Sequence, residues 1–290
     1  MPAFAHGTTG AAFEFHPHPD VWLLIALLAG GYLWALRSLG PKYVPPGQEV
    51  ASRRQKRFWF LGVATLWLGA DWPVHDLSEG YLFSVHMVQH MVFTFVAPAL
   101  LLKGLPQWLL RAILSPPRLM AAARFLTRPL VAFAIFNVVM AVTHWPPIVD
   151  ASVVSGPIHF ALHTVLVTSA LLMWWPVVAP LPEMPGLSVP GKMLYLFGQS
   201  VLPTVPASFL TFASEPIYKA YEAFPRLWGI GVVTDQTMAG LIMKIGGGLL
   251  LWTVIATMYF KWSAAQERQE IEEITWDDFE RELQAWELRK

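Results

Sequence analysis

Cysteine is absent from all 290 residues, which removes disulfides and thiolate ligands together. Any metal held by this chain must therefore be held by histidine, methionine, carboxylate or carbonyl. Charge is scarce as well: Asp, Glu, Lys and Arg make up 14% of the chain, against about a quarter in an ordinary soluble domain. The net charge is zero. With no basic-aromatic patch and no phosphate-cradling glycine motif, no nucleic-acid partner is expected. The run Gly246-Gly247-Gly248 lies inside an apolar stretch and reads as a close helix contact. The opening MPAFAHGTTG lacks the basic start and apolar core of a cleavable signal peptide, so the N-terminus reads as retained.

Apolar residues are abundant instead, at 55%, with 13% aromatic. Stretches long enough for a spanning helix of about 17 to 25 residues occur at 21–39, 58–74, 81–102, 125–142, 158–178, 191–212 and 235–260. The expected fold is all-α: a polytopic membrane protein with a bundle of seven transmembrane helices. The basic residues give its orientation. Seventeen Lys and Arg fall in 37–57, 103–128, 179–192 and 261–290, whereas the alternate connections hold two, Lys219 and Arg226. By the positive-inside rule the N-terminus lies outside and the C-terminus in the cytoplasm.

Residues 1–262 read as one bundle. From 263 to 290 the composition turns acidic and helix-forming, with Trp276, Phe279, Leu283 and Trp286 at steps of three and four, as in an amphipathic cytoplasmic tail. Its net negative charge argues against an anionic leaflet and leaves the bundle or a protein partner as its resting place. Pro203 and Pro206 fall inside the sixth apolar stretch and predict a kink or break.

All nine histidines lie on the outer side of this topology. Imidazole in an apolar helix costs free energy unless it pairs, hydrogen-bonds or binds a metal. His86/His90 and His159/His163 are i, i+4 pairs, each on one helix face. At 1.5 Å per residue both pairs sit in the outer half of the bilayer. They are the expected metal ligands. His75 and His144, at outer helix ends, are either further ligands or interhelical hydrogen-bonders, and His6, His16 and His18 read as solvated residues of the N-terminal arm. Asp71 and Asp235 are expected to orient imidazoles or to balance charge, a task open also to Asp76, Gln89 and Gln236. Met87, Met91, Met238 and Met243 are within reach as soft ligands or else are core fillers. Histidine with methionine and no thiolate suits copper, while zinc also binds imidazole well.

These residues carry a resemblance. HMVQHMVFTFVAPALLLKGLP at 86–106, HFALHTVLVTSALLMWWPVV at 159–178 and DQTMAGLIMKIGGG at 235–248 resemble the paired-histidine helices and last helix of the caa3-type cytochrome c oxidase assembly factor family (CtaG, multipass membrane type). The N-terminal arm and the acidic tail lie outside it. The resemblance implies a multipass protein of the bacterial inner (plasma) membrane, surrounded by lipid. It would aid assembly of a haem-copper oxidase by delivering or inserting copper, with oxidase subunits and a copper chaperone as partners and no turnover chemistry of its own. Two rivals use the same residues: a zinc-dependent intramembrane hydrolase, and a protein holding haem between two histidines.

Overall fold

The computed structural model describes residues 13–287, and among them every regular element is helical. In chain order the helices are α1 (Pro19–Tyr43), α2 (Arg53–Ala70), α3 (Val74–Gly80), α4 (Phe83–Gly104), α5 (Gln107–Ile113), α6 (Pro117–Leu126), α7 (Pro129–Thr143), α8 (Pro146–Val154), α9 (Gly156–Val178), α10 (Val189–Phe212) and α11 (Val232–Arg268). The helix of α11 continues to Glu287. Five of them, α1, α4, α9, α10 and α11, are long and apolar enough to cross a membrane, and α6 with α7 forms a further candidate pair bent by 77°. The chain is therefore an all-helical membrane protein.

The remaining expected segment, 58–74, falls on α2, an 18-residue helix. Its first five residues include Arg53, Arg54, Lys56 and Arg57. The apolar part, 58–70, is about 20 Å long at 1.5 Å per residue, short of the roughly 30 Å hydrocarbon layer. A capping box starts α2: Ser52 Oγ accepts the Gln55 N–H, and Gln55 Oε1 accepts the Ser52 N–H.

Helix interruptions have local causes. Wide π-helical turns at Ala35–Leu39 and Val92–Val96 lie just before Pro41 and Pro98, where a proline ring crowds the carbonyl four residues back. A third, Ile242–Gly246, leads into the glycine run. In α10 the helix stops at Val201 and restarts at Thr204, the break expected from Pro203.

Small residues bring α2 and α4 into close contact. A Cβ on Gly62 would lie 2.9 Å from the Leu101 side chain, one on Gly69 2.6 Å from the Phe93 ring, and one on Gly104 2.5 Å from the backbone nitrogen of Trp59. Tyr32 of α1 stacks on Trp59 at 4.6 Å and donates to Gly104 O, closing a satellite core with Leu36, Val63 and Leu109. The main core runs through Met87, Met91, Phe136, Met173 and Leu251. Within the glycine run, Gly247 is the residue in tight contact, against Met91 and Phe95.

Side chains tie the connections together at two opposite ends. At one, Trp22 reaches Asp71, Tyr218 reaches His144 O, and Asp150 accepts the Ala220 N–H. At the other, Tyr43 stacks on Trp108, Trp108 donates to Val50 O, and Arg111 meets Glu183. Every histidine among the described residues sits at or near the first end.

Candidate metal centre

The centre begins with the start of α4. Its first turn is fixed from across the bundle by Asp235 of α11, whose carboxylate accepts the Phe83 N–H at 2.6 Å and the Ser84 N–H at 3.0 Å. A carboxylate on these open N–H groups also meets the positive end of the helix dipole. The next turns of α4 project His86 and His90 toward α9, which enters at Gly156-Pro157 and projects His159 and His163 back.

The four rings close into one cluster. Centroids lie 4.3 Å apart within each pair, and across the helices His90 is 5.0 Å and His86 5.5 Å from His163. His144, at the end of α7, stands 5.8 Å from His90. These five line a small cavity of about 20 Å³ together with Phe83 and residues of α7, α8 and α9, space for one water or a bare ion.

Hydrogen bonds set which nitrogens face inward. Glu79 of α3 takes His86 Nδ1 on one oxygen at 3.1 Å and His159 Nδ1 on the other at 3.2 Å. The His86 contact is a hydrogen bond that the carboxylate can only accept, so that ring carries a proton on Nδ1 and turns Nε2 inward, whereas the His159 contact is an ion-pair distance without hydrogen-bond geometry. His144 Nδ1 donates to Met140 O at 2.8 Å, with the same result as for His86. His90 Nε2 and His163 Nε2 are buried and have no hydrogen-bond partner among the described residues. Ligand atoms of His86, His90 and His163 lie within 4.8 Å of one another, as do those of Glu79, His159 and His163. A metal bonded at about 2.0–2.1 Å closes such a triad once each ring moves by less than about 1 Å. Burial disfavours the ionised Glu79 carboxyl, and the hydrogen bond from His86 opposes this by favouring it.

A family model described as cytochrome c oxidase caa3 assembly factor matches residues 30–265. The chain belongs to that family. Relatives include a protein of Mycobacterium bovis, 26% identical over 266 residues, covering 84% of this chain and 38% of the relative. Another, from Mycobacterium leprae, is 26% identical over 251 residues, covering 77% and 38%. Both are described as uncharacterized proteins. The chain thus spans 38% of the length of the curated relatives it matches. No solved structure matches it.

In this family member His86, His90, His144, His159 and His163 share one cavity. His75 does not: its ring stands one step outward, 6.1 Å from His159. The expected carboxylates are engaged elsewhere. Asp71 accepts the indole N–H groups of Trp22 and Trp67, and Asp235 caps α4. Among the described residues neither forms a hydrogen bond to an imidazole. Gln89 donates to Gly69 O, and Gln236 bonds the backbone around Leu210 and Ile217. Met87, Met91 and Met243 are core fillers, Met238 is half-exposed, and none of the four lines the cavity. His16 and His18 are not simply solvated, since both grip Asp76, while His6 lies outside the described residues. Glu79 was not among the expected residues. The available signal was its place in a six-residue connection leading directly into the histidine helix.

Proposed function

We propose that this protein binds copper through His86, His90, His163 and His159 at its outer end, with His144 as a further ligand, and hands it to a haem-copper oxidase during assembly. The observation that carries the reading is the pair of buried Nε2 atoms of His90 and His163, without partners and facing one cavity with His86. Leaving a buried polar atom unpaired costs about 1–3 kcal/mol, so two side by side imply a ligand that uses them. A cation meets bare lone pairs there, with the Glu79 carboxylate to offset its charge. Imidazoles without thiolate suit copper or zinc, and membership of an oxidase assembly family favours copper. The metal is cargo in this reading and the protein no enzyme.

The cavity size supports a carrier over the rivals. Space for one water leaves no room for a hydrolase substrate or a porphyrin. The topology we infer keeps seven crossings, with α2 completing the bundle against α1 and α4, the N-terminus and the histidines outside, and the acidic end of α11 in the cytoplasm. The Lys and Arg split supports it. The membrane is then the bacterial plasma membrane, and the partners are oxidase subunits and a copper donor.

The test is copper per protein in purified His90→Ala and His163→Ala, beside oxidase activity of the same membranes. Both are expected to lose the copper and the activity while staying in the membrane. Wild-type copper and activity in both variants would return these histidines to plain helix packing.

A further inference from the structure

The paired histidines do not form a single coordination shell. Among the described residues their donor atoms divide into two triads, His86/His90/His163 and Glu79/His159/His163, each within 4.8 Å, and no group so spaced joins His159 to His86 or His90. His163 belongs to both. Its ring is the central one, 4.3 Å from His159, 5.0 Å from His90 and 5.5 Å from His86, while His86 and His159 stand 5.9 Å apart.

The triads differ in depth and in donors. The Glu79 and His159 side chains are 24% and 14% exposed, whereas the Nε2 atoms of His90 and His163 are buried and have no partner among the described residues. The outer triad sets a carboxylate beside two imidazoles, and the inner one is imidazole alone. Glu79 Oε2 and His159 Nδ1 face each other at 3.2 Å without hydrogen-bond geometry. Two donors of a tetrahedral shell with bonds of about 2.0–2.1 Å stand about 3.3 Å apart. The other oxygen of Glu79 keeps its hydrogen bond with His86.

Cavity size gives the outer triad a task. The cavity has space for one water or a bare ion, so a hydrated ion cannot enter it with its shell. Its waters must be exchanged for protein donors before it is buried, and the donors on the more open side are those of Glu79 and His159. Charge limits the centre to one ion at a time: cations side by side in a poorly screened site repel, and the Glu79 carboxylate cannot offset both.

We propose that the copper ion occupies two alternate positions that share His163. It is taken up at an outer position by Glu79, His159 and His163 and loses water there. It then moves inward by trading Glu79 and His159 for His86 and His90 while His163 stays bound. Two donors leave, two replace them, and the oxidation state of the copper is unchanged. The outer position binds weakly because water reaches it, and the inner one retains the ion. Glu79 is thereby a ligand in its own right as well as the group that orients His86. This inference rests on the reading of the inner cluster as a copper site.

Copper(II) added to the detergent-solubilised full chain tests this, with nitrogen ligands counted by pulsed electron paramagnetic resonance and loading followed by stopped flow. Wild type is expected to bind one equivalent in two kinetic phases. His159→Ala is expected to bind one equivalent with the wild-type resonance and unchanged helical circular dichroism, but to load about ten-fold more slowly. A wild-type loading rate would overturn the entry role, and loss of a nitrogen from the resting resonance would make His159 a ligand of a single four-donor site. His90→Ala, which purifies without copper if the inner site is read correctly, is expected to take up one equivalent from excess copper(II) on two nitrogens. Adding Glu79→Gln should abolish that uptake. No uptake from excess copper, or uptake that Glu79→Gln leaves intact, would overturn the outer position while leaving the inner site standing. Copper retained through purification of both His90→Ala and His163→Ala would instead sink the inner site, whatever the loading rates.

Discussion

At the α5 end of the bundle, charge is matched where it arises. Arg111 makes a two-point contact with Glu183, Arg54 and Lys103 lie over the Phe58 ring at 5.4 and 5.8 Å, and Arg128 lies over Phe125 at 5.6 Å. At the α3 end, five imidazoles converge on one cavity and two of their nitrogens are left over. Polar side chains occur at both ends, so polarity alone does not mark a site. The difference is in what is left over: near the α5 end the buried atom without a partner is a donor, Trp175 Nε1, which cannot take a cation, whereas at the α3 end it is two imidazole nitrogens, which can. The matched end fixes orientation and packing, and the unmatched end keeps capacity for something the chain does not itself supply.

Four substitutions press on this contrast, in descending size of effect. Glu79→Ala removes the carboxylate that hydrogen-bonds His86 of α4 and lies against His159 of α9, so copper affinity is expected to fall about 10- to 100-fold, measured by chelator competition; Glu79→Gln, with one accepting oxygen, should fall between. Unchanged affinity in both would mean that the rings are held by packing alone. Gly104→Ala drives a methyl group into the Trp59 backbone and is expected to cost about 1–3 kcal/mol of stability, read as a lower thermal midpoint in detergent with the folded fraction still binding copper. Loss of copper without loss of stability would join the two ends that the comparison separates.

Asp235→Ala opens the first turn of α4. The expected cost is about 1–2 kcal/mol, with copper weakened through a frayed histidine helix and Asp235→Asn recovering most of it; failure of Asn to recover would point to a role for the charge. The smallest effect belongs to Glu183→Gln. Its carboxyl is held down at about 2 by the Arg111 hydrogen bonds. A depressed carboxyl stabilises above its ordinary value of 4.5 and loses that contribution as pH falls toward 2. Wild type and variant should therefore converge only in that acid window, while copper content stays equal at pH 7.

Much of this was legible in the chain. Apolar run lengths locate five of the seven expected spans, with a sixth only as the bent pair α6 and α7 and α2 falling short, and Pro203 locates the break in α10. The helix from Gly247 to Glu287 runs on without a break, as the absence of glycine and proline after Gly248 allows, so the change in composition at 262 falls within one helix. The histidine pairs were visible because i, i+4 spacing fixes both depth and face. For the carboxylates, sequence supplied depth alone. Asp71, Asp235 and Glu79 all lie near the same level, and only packing decides that Asp71 turns to indoles, Asp235 to a helix start and Glu79 to the rings. The grip of Asp76 on the arm joins residues about sixty positions apart, which local pattern does not reveal.

The two-sided grip of Glu79 also bears on electrical work. Its hydrogen bond with His86 turns that ring's Nδ1 to the carboxylate and its Nε2 toward the cavity before anything arrives. An ion that loads at neutral imidazoles expels no proton, and its full charge is carried into the protein. With this end facing outward, as proposed, uptake is electrogenic. A potential negative inside would favour it by a fraction of the roughly 2.3 kcal/mol per charge that 100 mV supplies across the whole membrane, and release back to the outside would be opposed by the same amount.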